Sequence, residues 1–136
     1  MQRFSTANLE TIARHYTGEP VTVDWRASAH WQGLALRMGA GPVIFLNPSA
    51  VDLAFVFWHE LGHHVCGHCT IINRADYGDL GTADSDAILA NMTPAERAYF
   101  EPMIDERENE ADGWALTHLA AFERRFGPFL AAMYDA

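Results

Sequence analysis

The feature that most limits how this chain can fold is Trp58-His59-Glu60-Leu61-Gly62-His63-His64, ionisable chemistry set inside an apolar helix. Residues from about Ala50 to Cys66 read as that helix, with Leu53, Ala54, Phe57, Leu61 and Val65 at helical intervals. Ser49 or Asn47 is available as its cap. The first half is apolar almost all round, as expected of a central buried helix. Positions four apart lie one turn apart on one face, so His59 and His63 can present two imidazoles to one metal ion. Glu60 sits beside them, placed to take a proton from water at that ion. Such polar groups on a buried helix need partners, and a metal supplies them. Gly62 costs about 1 kcal/mol relative to alanine inside a helix. That cost makes sense if another element or a substrate must come close.

The rest of the chain supplies an α+β frame for this helix. A first helix is expected over Thr6 to Tyr16, capped by Ser5 and ended by Thr17-Gly18-Glu19-Pro20. Residues 21–25, 33–38 and 43–46 read as strands, with Gly39-Ala40-Gly41-Pro42 as a turn. Together they predict a small, mostly antiparallel sheet packed on the motif helix. Residues 73–91 are acidic and loop-like. Thr93-Pro94-Ala95-Glu96 is a helix start: a threonine cap, proline at the first position and glutamate at the third. One helix is expected from Pro94 to about Glu101, with Pro102 kinking or restarting it. A longer one follows from about Met103 to Arg125, stopped by Gly127-Pro128. The apolar tail, Phe129 to Tyr134, should pack back. No flanking part looks self-sufficient, so residues 1–136 are expected to form one domain.

A catalytic zinc normally has three protein ligands and one open position. The late helix carries Glu108-Asn109-Glu110-Ala111-Asp112, where Glu108 and Glu110 compete to be the third. Its core-facing stripe reads Ile104, Glu108, Ala111, Ala115, Leu119 and Phe122, so Glu108 faces inward and Glu110 lies roughly opposite. Glu108 is the expected ligand. Asp112, one turn on, can accept a hydrogen bond from the outer nitrogen of a liganding histidine. Glu106 and Glu110 fit a solvated acidic run.

With both motifs in view, the chain resembles the ImmA/IrrE-type metallopeptidases. The resemblance rests on Val43-Ile44-Phe45-Leu46-Asn47-Pro48 ahead of His59-Glu60-Leu61-Gly62-His63-His64-Val65-Cys66-Gly67-His68, and on Glu108-x-Glu-Ala-Asp112-x-Trp-Ala115. The second run is also similar to the Glu-x-x-Ala-Asp element of other gluzincins. It differs from the usual family pattern in Leu116-Thr117-His118-Leu119, where a Leu-Leu-Met-Pro-like ending often stands. The resemblance implies a minimal gluzincin (zincin-like) fold, with a small sheet on the active-site helix and the third ligand on a following helix. It implies intracellular proteolysis, often of a helix-turn-helix repressor.

The expected chemistry is then hydrolysis of a peptide bond, with Zn2+ held by His59, His63 and Glu108. Glu60 acts as the base that later returns the proton to the leaving amine. Tyr77, Tyr99, His30 and His118 are the candidates for a further oxyanion donor. Residues 34–38 or 43–46 are candidate edges for pairing with a peptide. Alternatives are a non-catalytic, antitoxin-like metal-binding module, and an amidase or peptidase acting on a small substrate. An intact Glu60 argues against a binding-only role.

Composition narrows the partners. The formal charge is −9 and all nine cations are arginine, which argues against direct nucleic-acid binding. Two cysteines are too few for a disulfide framework, and neither a signal peptide nor a membrane-length apolar run is seen. A cytoplasmic protein is the expectation. Cys66-Gly67-His68-Cys69 spells a dithiol redox motif, but at the wrong end of a helix to lower a thiol pKa. A second metal held by His64, Cys66, His68 and Cys69 would pack four ligands into six residues and strain a tetrahedral site. This segment is read instead as the fraying end of the motif helix.

Overall fold

The computed structural model describes residues 5–69 and 92–129. The acidic stretch 73–91, Tyr77 and the tail beyond Phe129 lie outside the described residues. Among those described, three helices and three strands make an α+β arrangement. Helix α1 (Thr6–Thr17) is capped by the Ser5 hydroxyl, which accepts from the Asn8 N–H, and ends at Gly18 in the left-handed region (φ 76°). Strands β1 (Thr22–Trp25), β2 (Gly33–Met38) and β3 (Gly41–Leu46) follow, then α2 (Leu53–Val65) and α3 (Pro94–Phe126).

The sheet is mixed, which corrects the expectation of a mostly antiparallel one. Its order is β1-β3-β2, with β1 parallel and β2 antiparallel to β3. β2 and β3 form a hairpin in which Met38 pairs with Gly41. The connection 26–32 is too long for a tight hairpin and passes the end of β3, so β3 inserts between its two predecessors. Asn47 fastens this crossing. Its Nδ2 donates to the carbonyls of Ser28 and Trp31 at 2.7 and 3.1 Å, and its Oδ1 accepts from the Ser49 N–H. Asn47 is therefore occupied as a clamp and does not cap α2. Asp52 does, accepting from the Phe55 N–H at 3.1 Å, so α2 begins later than the expected Ala50.

The pleat sends Ile44 and Leu46 to one face of the sheet and Phe45 to the other. On the first face they join Leu9 and Ala13 of α1, Phe57, Trp58 and Leu61 of α2, Ala115 of α3, and Phe129. On the second, Phe45 packs with Trp31, Leu34 and Leu36. Trp58 is fully buried in an aromatic group with Tyr16, Phe57, Trp114, Phe122 and Phe129. Phe129, the last described residue, lies parallel to Phe57 at 5.7 Å and is buried in the core.

α3 is one continuous helix through Pro102, not two. Its start is strongly fixed by a complete capping box between Thr93 and Glu96. Pro102 is exposed, which leaves its ring room to be accommodated without a break. Among the described residues, the fully buried positions of α3 lie in its later part: Ala111 and Ala115 pack against α2.

Candidate metal centre

α2 and α3 are the two elements that build the site, and their approach is set by Gly62. A Cβ there would stand 3.1 Å from the Ala111 carbonyl oxygen and 3.3 Å from the Trp114 ring. The glycine that weakens α2 locally is thus what lets α3 come close, and close contact brings the two motifs together.

Three of the expected donors converge. The Nε2 atoms of His59 and His63 are 3.1 Å apart. Glu108 Oε2 lies 2.9 Å from His59 Nε2, and its Oε1 lies 3.3 Å from His63 Nε2. A tetrahedral zinc with bonds near 2.0–2.1 Å places its ligand atoms about 3.3 Å apart. The donor set and its spacing therefore fit such an ion. Glu108, not Glu110, completes the group.

The outer ring atoms explain why the inner nitrogens face one another. His59 Nδ1 donates to Asp112 Oδ1 at 2.7 Å, so Nε2 is the nitrogen turned to Glu108 and the one that would give its lone pair to a metal. Asp112 thus stands where the helical stripe predicted. His63 is held by a partner that sequence reasoning assigned no role. Its Nδ1 lies 2.9 Å from Nδ1 of His68, whose Nε2 lies 2.7 Å from Glu110 Oε1. Only one proton arrangement serves both contacts with a lone pair left on His63 Nε2. His63 Nδ1–H donates to His68 Nδ1, and His68 Nε2–H donates to the Glu110 carboxylate.

His68 reaches this position because α2 does not fray. It ends in a Schellman turn around Gly67 (φ 75°). The Gly67 N–H bonds to the His64 carbonyl, and the His68 N–H bonds to the His63 carbonyl. A glycine one residue past the helix end was the signal in the sequence for this reversal. Glu110, on the far side of α3 from Glu108, is met by a chain that has come round the outside. His64 points elsewhere: its Nε2 donates to the Val43 carbonyl at 2.9 Å and ties α2 to β3.

The electrostatics follow from burial and crowding. Burial opposes a charge on His59, but the Glu108 hydrogen bond and the charges of Glu60, Glu108 and Asp112 outweigh it and raise its pKa to about 9. Burial also opposes ionisation of Glu108, yet hydrogen bonds from His59 and His63 hold that carboxyl well below its usual range. For Glu60 burial wins and pushes its pKa up to about 7, against the pull of His63 and His59. Its Oε1 is 3.9 Å from His59 Nε2. A Cβ on Gly33 would stand 2.9 Å from Glu60 Cγ, so the start of β2 passes directly over this side chain.

The other candidates are engaged away from the donor group. His118 stacks on Trp114 at 4.1 Å and donates to its carbonyl. Tyr99 is exposed and lies edge-on to Phe100, and His30 is exposed. β3 is the central strand, paired on both sides, so 43–46 is not an edge; among the described strands β2 is. Burial pushes the thiol pKa values of Cys66 and Cys69 up, to about 11 and about 12. No helix among the described residues is long and apolar enough to cross a membrane. Comparison with protein-family models, curated proteins and solved structures found no match.

Proposed function

We propose that this chain is a zinc-dependent endopeptidase of the ImmA/IrrE type, with a zincin-like fold, acting on a protein or peptide. One observation carries the reading: His59, His63 and Glu108 bring three donor atoms to tetrahedral spacing with the buried Glu60 beside them. Zinc, when bound, supplies Lewis acidity at that point. The remaining work belongs to the chain. Glu60 accepts the proton of the attacking water and returns it to the leaving amine. A carboxyl with a pKa pushed up to about 7 is suited to both transfers. Asp112 and the His68–Glu110 pair keep the two imidazoles turned towards the metal. Among the described residues β2 has no strand on its outer side, and its first residue lies against Glu60, so a peptide added along that edge would pass the base. A helix-turn-helix repressor is the substrate class that the motif resemblance favours.

Two measurements test this. Wild-type protein should bind zinc in the His59–His63–Glu108 centre, and Glu108→Gln should bind it far more weakly. The repressor encoded nearest to this gene should be cleaved by wild type and spared by Glu60→Gln. Unchanged zinc affinity in Glu108→Gln would remove the third ligand. Equal cleavage by wild type and Glu60→Gln would remove the mechanism.

A further inference from the structure

Cys66, His68 and Glu110 offer a sulfur, a nitrogen and an oxygen that all lie within 4.8 Å of one another. They sit on the outer side of the α2–α3 contact, away from Glu108. A cavity of about 380 Å³ opens onto them and is walled by Gly67 and by Met103, Glu106 and Arg107 of α3. Glu106 stands one turn before Glu110 and offsets the charge of Arg107 on the same wall. Glu110 already takes a hydrogen bond from His68. We propose that these three residues are a second metal site, and that its occupancy loosens the first.

The donor set selects the ion. Thiolate and imidazole favour zinc or cobalt over magnesium or calcium, which prefer oxygen alone. Glu110 is largely exposed and can adjust to a tetrahedral position, with water from the cavity as a fourth ligand. Cys66 gives up its proton as the sulfur binds, and the proton passes to solvent. Unlike the four-residue set of His64, Cys66, His68 and Cys69, this one draws a ligand from a second helix. His64 and Cys69 are engaged elsewhere, with the Val43 and Ala35 carbonyls.

The coupling comes from His68, which faces both centres. With Nε2 turned to Glu110, its Nδ1 accepts the proton that His63 must keep on its own Nδ1 to ligate through Nε2. A second ion on His68 Nε2 takes the lone pair there. The single proton of the neutral ring then moves to Nδ1 and meets the N–H of His63 head-on. His63 loses its outer hydrogen bond, a loss that typically weakens metal binding ten- to a hundredfold. Excess zinc would thus limit its own retention. The second site stands on its own donors; only the coupling rests on the first centre being a metal site.

Cobalt titration of the full chain tests the site. A thiolate-to-cobalt charge-transfer band should appear in wild type and in Cys69→Ser. It should vanish in Cys66→Ser, with one equivalent of bound metal lost. Cys66→Ala is a second variant should the serine fail to fold, as judged by circular dichroism. No band in wild type, or a band surviving in a folded Cys66 variant, overturns the site. The band should persist in His59→Ala, so failure of the first centre reads out separately.

Zinc exchange tests the coupling. Protein carrying one equivalent of labelled zinc is moved into excess unlabelled zinc. Label should leave wild type at least about tenfold faster as free zinc rises, and leave Cys66→Ser at a constant rate. Equal behaviour of the two proteins overturns the coupling.

Discussion

At the residue scale, Glu60 and Asp112 show how position converts similar carboxylates to different tasks. Glu60 is buried under Gly33, and its pKa is pushed up to about 7. In the unfolded chain it ionises near the usual 4.5. Below pH 4.5 both states hold the proton and burial carries no ionisation cost. Between 4.5 and 7 folding must take up a proton, and above 7 the full cost is present. Metal-free Glu60→Gln should therefore be more stable than metal-free wild type at pH 8, by about 1–3 kcal/mol. The difference should disappear at pH 4, as followed by urea unfolding in chelator. Asp112 keeps its partner's ring in place instead. Asp112→Asn should retain the fold and bind zinc about 10–100-fold more weakly, measured by chelator competition. The role of Asp112 was legible because it is purely helical: Glu108, Ala111, Asp112 and Ala115 share a face by periodicity alone. The role of His68 was not, because it depends on the chain reversing at Gly67.

At the scale of elements, the α2–α3 crossing is the joint on which the site depends. The backbone of Ala111 lies against Gly62, so a branched side chain has nowhere to go. Gly62→Val should destabilise the protein by about 1–3 kcal/mol through overpacking. It should also lower zinc affinity, because His63 and Glu108 flank the same contact. Thermal melts with and without metal would separate the two effects. Pro102 is the opposite case, a disfavoured residue inside an exposed stretch of α3. Pro102→Ala should raise stability by about 1–3 kcal/mol, since alanine restores the helical hydrogen bond and the proline ring is exposed. A proline in the sequence reads locally as a break. α3 runs through it because the capping box fixes one end and the burial of Ala111 and Ala115 fixes the other.

At the scale of the whole molecule, metal and core share the work of holding α2 to α3. Trp58, Phe57 and Phe129 join both helices to α1 and the sheet without any ion. The metal-free protein should therefore remain folded at 25 °C, with a lower melting temperature. Free zinc at a thousand times its Kd adds about 4 kcal/mol, worth roughly 15 °C for a chain of this length. Calorimetry in chelator and in zinc checks this. A chain that unfolds outright on chelation would show that the aromatic core does not suffice.

What the sequence determined by itself was local: a buried helix bearing His59, Glu60 and His63, a capped late helix, and one face of that helix carrying Glu108 and Asp112. Helical period and capping chemistry act over a few residues, so they are written in neighbours. What the tertiary structure alone decided was non-local. β3 enters between β1 and β2 because pairing depends on the crossing that Asn47 clamps, not on strand order. Glu110, on the outward face of α3, gains a partner because a single glycine turns α2 back towards it. The spacing that lets His59, His63 and Glu108 share one ion exists only where Gly62 meets Ala111, and that contact joins residues far apart in the chain.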